Sequence, residues 1–152
     1  MRNFFVLGCL AVMMLGASAV NAADVPAGYY ADQKTVYQNN GGAPDNTTYF
    51  NHLLRSIRNQ IAAVGKDHVD IRVVDFDAGV QMLKKAKEDK ALAAKIDALR
   101  GDGVKFLVCA NTLKAMGIEA SDLYGVKDGD VVPSGVAELA RLQGMGFAYI
   151  RL

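Results

Sequence analysis

The chain has 152 residues, 51% of them hydrophobic and 22% charged, with 17 basic side chains against 16 acidic ones and a net charge of +1. That is enough chain and apolar content for one domain with its own core, which excludes disorder, and three prolines exclude a collagen-like or linker-like composition. The near-balanced charge excludes a strongly basic surface for nucleic acid.

The N-terminus has the pattern of an export signal. Arg2 supplies a positive n-region, Phe4 to Leu15 is almost purely apolar, and Gly16 and Ser18 open a small-residue stretch. That stretch ends in Val20-Asn21-Ala22, an A-x-A-like cleavage tripeptide. Cleavage is expected after Ala22, with Ala19 and Ala23 as alternatives, so residues 1–22 are read as a signal peptide and the product as periplasmic. The apolar run is short for a retained membrane span and ends in small residues. Cys9, the only candidate for a lipoprotein acceptor, has too few apolar residues before it and an apolar run that continues past it. Removing Arg2 and Cys9 leaves a chain of about 130 residues with equal numbers of acids and bases and one cysteine, Cys109. Exported proteins commonly form disulfides, but a lone cysteine cannot form an internal one.

Residues 23–33 form an expected flexible lead-in, and 34–152 a single domain in which strands and helices alternate. Lys34 to Tyr37 predicts a first strand, and Gln38 to Asn46 a loop rich in turn residues. A helix from Asn46 to Val64 follows, with Phe50, Leu53, Leu54, Ile57, Ile61 and Val64 on one face, Asp45 or Asn46 as its cap and Gly65 as its stop. Val69 to Phe76 alternates as a second strand. Helical spacing returns from Gly79 to Lys87 and from Asp89 to Arg100. Val104 to Ala110 predicts a third strand in which Phe106 to Ala110 is apolar without alternation, as expected of a central parallel strand covered on both faces. A short helix from Thr112 to Met116, a strand at Val131-Val132, a helix from Ser134 to Met145 with Val136, Leu139 and Ala140 inward, and a strand from Phe147 to Arg151 complete the pattern. Five strands with intervening helices predict a three-layer α/β/α domain around a mainly parallel sheet.

Ligands of such sheets bind beyond the carboxyl ends of the strands. That rule selects Gln38, Asn39 and Asn40 after the first strand, Asp75 and Asp77 around the end of the second, Cys109, Asn111 and Thr112 after the third, and Ser134 after the fourth. Cys109 precedes Asn111, the expected N-cap of the next helix, where free N–H groups favour a thiolate or the anion of a persulfide. The alternative is a small apolar side chain filling core space. His52 and His68 lack partners at metal-ligand spacing and there is no C-x-x-C, so no metal and no cofactor is expected. Met82, Met116 and Met145 are expected as core filler, and the lysines between 84 and 90 as a solvated helix face. Gly41-Gly42-Ala43-Pro44 lacks the Lys-Ser/Thr of a phosphate loop, and no G-x-S-x-G surrounds Ser134.

The segment Val104-Lys105-Phe106-Leu107-Val108-Cys109-Ala110-Asn111-Thr112-Leu113 resembles the cysteine motif of the DsrE/DsrF-like family of sulfur-handling proteins. Asp122 to Val126, Val132-Pro133-Ser134-Gly135-Val136-Ala137-Glu138-Leu139, the Asn-rich turn and Arg55 to Asn59 are similar to it as well. The resemblance runs from Lys34 to Leu152. It implies a compact three-layer fold, flavodoxin-like in outline, that is often trimeric or hexameric. It also implies sulfur carried as a persulfide on the cysteine matching Cys109, with Asn111 and Thr112 steadying the anion and sulfur donors and acceptors as partners. The best-understood relays of this family are cytoplasmic, whereas this chain carries an export signal. Some relatives have a histidine near the end of the first or second strand, where this chain has Gln38 and Asp75 to Asp77.

Overall fold

The structure is a computed structural model and describes residues 28–42 and 45–152. The expected signal peptide and residues 23–27 of the lead-in lie outside the described residues, and Gln33, the last residue of that lead-in, already belongs to the first strand. Five strands, β1 (Gln33–Asn39), β2 (Val69–Asp75), β3 (Lys105–Cys109), β4 (Val131–Val132) and β5 (Ala148–Ile150), form one sheet in the order β4-β3-β2-β1-β5. Every pairing is parallel. Parallel neighbours need crossovers, supplied here by α1 (Asn46–Val64), α2 (Gln81–Lys85), α3 (Lys90–Gly101), α4 (Ala110–Met116) and α5 (Gly135–Gly144). Among the described residues no helix is long and apolar enough to cross a membrane.

The two faces of the sheet carry unequal layers. Tyr37, Ile71, Val73, Phe106 and Val108 pack under Leu53 and Ile57 of α1, Met82 and Leu83 of α2, and Ile96 and Leu99 of α3, forming the larger core. The period of two along each strand sends Val36, Val74 and Leu107 to the other face, where Leu139 and Leu142 of α5 and Phe147 cover them. Arg100 ties the segment before β4 to α3. Its guanidinium donates to the Tyr124 carbonyl at 3.1 Å, while the Tyr124 hydroxyl donates to Asp97 at 2.6 Å.

Several expectations need correction. β1 continues to Asn39, so Gln38 and Asn39 are strand residues rather than loop. The helix expected from Gly79 to Lys87 is a 3-10 turn over Asp77–Val80 followed by the five-residue α2. Helix α4 starts at Ala110, and the N-cap position belongs to Cys109 rather than Asn111. Along α5 the buried stripe is Gly135, Glu138, Leu139 and Leu142, whereas Val136 is 66% exposed and Ala140 is exposed too. The close seat of Gly135 against Phe76 sets that rotation. Met82 is buried as expected, but Met116 and Met145 are exposed, where their thioethers accept from Gln81 and Arg141.

Candidate functional site

Cys109 ends β3 opposite Val132 of β4, on the same face as Leu107 and therefore beneath α5. The residue is 5% exposed. Its thiol is surrounded by donors from two helix starts. The Thr112 hydroxyl and the backbone N–H groups of Thr112 and Asn111 come from α4, and the N–H of Gly135 comes from α5. Burial is the largest single influence on the thiol and pushes its pKa up, but the pull of these four nearby donors together holds it below the ordinary thiol value. The result is a sulfur that loses its proton more readily than a free cysteine does, in a mostly buried position.

Each donor is itself held. Thr112 Oγ1 accepts the backbone N–H of Asp77 at 3.0 Å, so its own hydrogen is free to face the sulfur. Asp77 is the one non-glycine with positive φ among the described residues, at 50°, a conformation that Asp tolerates better than most side chains. Gly135 is glycine for a steric reason, because a Cβ there would lie 3.0–3.2 Å from the Cβ, Cδ1 and Cγ of Phe76. Ser134 Oγ accepts from Ala137 N at 3.4 Å and so caps α5, which fixes the helix start that presents the Gly135 N–H.

The residues selected from the sequence divide into separate groups. Asn111, Thr112 and Asp77 join Cys109, although Asn111 contributes its backbone N–H and its side chain is exposed. Ser134 supports the cluster as a cap. Gln38 and Asn40 belong elsewhere: Gln38 Nε2 donates to Asn40 Oδ1 at 3.0 Å, and Gln38 Oε1 accepts the Tyr149 hydroxyl at 2.7 Å, which fastens β5 to β1. Asn39 points to the opposite face of the sheet, fully buried, and donates to Asp75 Oδ1 and to the Gly79 carbonyl. Gly135 was missed in the sequence because its role is carried by a backbone amide and a neighbouring ring, neither of which leaves a motif.

Asp75 is fully buried, with Oδ2 lacking any hydrogen-bond partner. Burial drives its carboxyl well above the usual carboxylate range, against the opposing pull of the Asn39 hydrogen bond and the Arg100 charge. Its network pins the chain after β2. The Phe76 N–H donates to the Asn39 carbonyl at 3.0 Å, and a Cβ at Gly79 would lie 2.0 Å from that same oxygen. The loop so clamped is the one whose Asp77 N–H holds Thr112. Among the described residues no group of three or more His, Cys, Asp or Glu side chains could hold a metal ion. His68 Nδ1 lies 2.8 Å from Asp32, and His52 is exposed on α1.

Residues 33–152 match the profile of the DsrE/DsrF-like family. A search of curated proteins gives no significant match. Among solved structures, the chain is similar to a protein of unknown function from Methanobacterium thermoautotrophicum. The identity is 34% and the TM-score 0.67, and the similarity covers 80% of this chain and 100% of that one. It also shares its fold with a conserved protein of unknown function from Bacteroides thetaiotaomicron, at 18% identity and a TM-score of 0.54, covering 80% of this chain and 95% of that one.

Proposed function

The chain belongs to the DsrE/DsrF-like family, and from that premise we propose that it is an exported sulfur-trafficking protein that carries sulfane sulfur as a persulfide on Cys109. The family supports a role in sulfur relay. The observation that carries the finer reading is the place of Cys109, buried at the carboxyl end of β3 and at the N-cap of α4, with the Thr112 hydroxyl and the N–H groups of Asn111, Thr112 and Gly135 near enough to lower the thiol pKa. The Cys109 thiolate attacks the sulfane sulfur of a donor R–S–SH. The donor's S–S bond breaks, RS⁻ leaves, and Cys109–S–SH forms. An acceptor thiolate then attacks the outer sulfur, takes it as its own persulfide and releases the Cys109 thiolate, so the relay has no net oxidation or reduction. A persulfide is a stronger acid than a thiol, so the same donors favour its anion. The protein is then a carrier, with donor and acceptor proteins or small sulfane compounds as partners and no requirement for independent turnover.

The N-terminal pattern of Arg2, Phe4 to Leu15 and Val20-Asn21-Ala22 supports export to the periplasm with cleavage after residue 22. Exposed Val136 on α5 and Met145 just after it support assembly into a trimer or hexamer, the arrangement implied by the family.

A second reading is favoured by the 5% exposure of Cys109: a binding or assembly module in which the thiol is inert. Mass spectrometry after incubation with polysulfide or thiosulfate separates the two. The sulfur carrier gains one sulfur, about 32 Da, on the wild-type chain and none on Cys109→Ser. Equal masses in both chains, with Cys109 alkylated only after denaturation, establish the inert module.

A further inference from the structure

A second concave site lies at the other end of the sheet's ligand-binding edge, independent of Cys109. Parallel strands are spaced about 4.8 Å apart, so β1 lies two strands, or roughly 10 Å, from β3. At the carboxyl ends of β1 and β5 there is an open cavity of about 750 Å³. Its walls come from three segments: Thr48, Tyr49, His52 and Arg55 of α1, Gly42 after β1, and Arg151 after β5. Thr48, His52 and Arg55 recur at helical spacing along one stripe of α1, and the Asp45 cap starts that helix just past the end of β1.

Part of this wall is already fixed. The chain at Gly42 lies so close over the Tyr49 ring that a Cβ there would meet it at 2.3–2.9 Å. The Tyr49 hydroxyl donates to the Gln38 carbonyl at 3.2 Å, and the Tyr149 hydroxyl bonds Gln38 Oε1 at 2.7 Å, so β5 and the residue after it are held against β1. The Arg151 charge reaches the Tyr49 phenol and opposes the upward push of burial on it.

Among the described residues the cavity is lined by two guanidinium groups and an imidazole and by no Asp or Glu side chain, while Leu152, with the carboxylate at the end of the chain, lines it as well. Among the described residues neither Arg55 nor Arg151 forms a salt bridge, whereas Arg72, Arg100 and Arg141 each pair with a carboxylate. Two arginines from different elements, neither of them in a salt bridge and outnumbering the one carboxylate of Leu152, attract and orient anions in the concave space they face. The volume suits a small organic molecule better than an inorganic ion.

We propose that the cavity between α1 and the carboxyl ends of β1 and β5 binds a small organic dianion, a dicarboxylate or a phosphomonoester, between Arg55 and Arg151. Titration calorimetry of the purified chain with succinate, glycerol 3-phosphate and neutral glycerol tests this and separates the two sources of charge. Saturable binding of either anion but not of glycerol is expected, weakening as salt is raised. Arg55→Gln and Arg151→Gln each weaken it about tenfold, the loss of one charge-assisted contact. Arg58→Gln, one turn along α1 and outside the cavity, leaves it unchanged. Absence of binding by both anions overturns the proposal, as does binding indifferent to both cavity arginines. Arginine variants that change the chain's assembled mass without any anion binding in the wild type overturn it in favour of a contact between copies.

Discussion

Cys109 and Asp75 show opposite outcomes of burial. Both are close to dry, yet the thiol has four donors to offset desolvation, while the carboxyl has one side-chain donor and an orphaned oxygen. The pKa of the first is lowered from the ordinary thiol value, and that of the second is raised well above the usual carboxylate range. The sign for stability follows. The folded chain keeps the Asp75 proton to a higher pH than the unfolded chain does, so this group's contribution is fully present below the unfolded carboxyl pKa. It is lost as pH rises from there through the folded value. Asp75→Asn, which removes the titration and keeps the shape, is therefore expected to flatten that decline. In thermal melts at pH 5 and pH 8, the variant should gain on the wild type as pH rises. A parallel pH dependence in both chains would show that Asp75 titrates normally.

At the scale of elements, the site depends on where two helices begin. Helix α5 reaches Cys109 because Ser134 caps it and Gly135 passes Phe76 without a side chain. Gly135→Ala is expected to cost about 1–3 kcal/mol by overcrowding Phe76, and to raise the Cys109 thiol pKa by displacing its amide. Gly144→Ala, at the far end of α5 with open space around it, is the matched control and should be neutral or stabilising by about 0.5–1 kcal/mol. Melting and thiol titration of the two variants check both statements; a Gly135→Ala chain that melts like Gly144→Ala would remove the steric argument. The helices and strands themselves were legible where periodicity was strong. Helix α1 has its expected bounds, its cap at Asp45 and its stop at Gly65, and the uninterrupted apolar run to Cys109 is a central strand with neighbours on both sides. The rotation of α5 was not legible, because Val136 and Leu142 are equally apolar and only contact with Phe76 decides which turns inward. The start of α4 was displaced for a related reason. Asn111 has the better capping side chain, but the turn out of β3 begins the helix at Ala110 and assigns the cap to the cysteine.

For the whole molecule, the sheet order determines which selected residues meet. Strand-end residues are selected together by a sequence rule, but β1 lies two strands from β3, so Gln38 and Asn40 serve the β1–β5 junction instead of Cys109. The alternation of faces separates Asn39 from the cysteine altogether. One layer of helices covers one face, while α5 covers the other and leaves Val136, Met145 and the Tyr149 ring exposed. Light scattering of the processed chain is expected to give three or six times the monomer mass, and Val136→Glu is expected to lower it. A monomeric wild type would contradict the proposed assembly. The central claim is that the protein's hydrogen bonds overcome burial at Cys109, and its most direct test is the thiol pKa, read from the pH dependence of Cys109 alkylation in the native chain. The account predicts a value below that of a blocked free cysteine measured alongside, with Thr112→Val shifting it upward and slowing alkylation at neutral pH about tenfold. A native value at or above that of the free cysteine, unmoved by Thr112→Val, would contradict it.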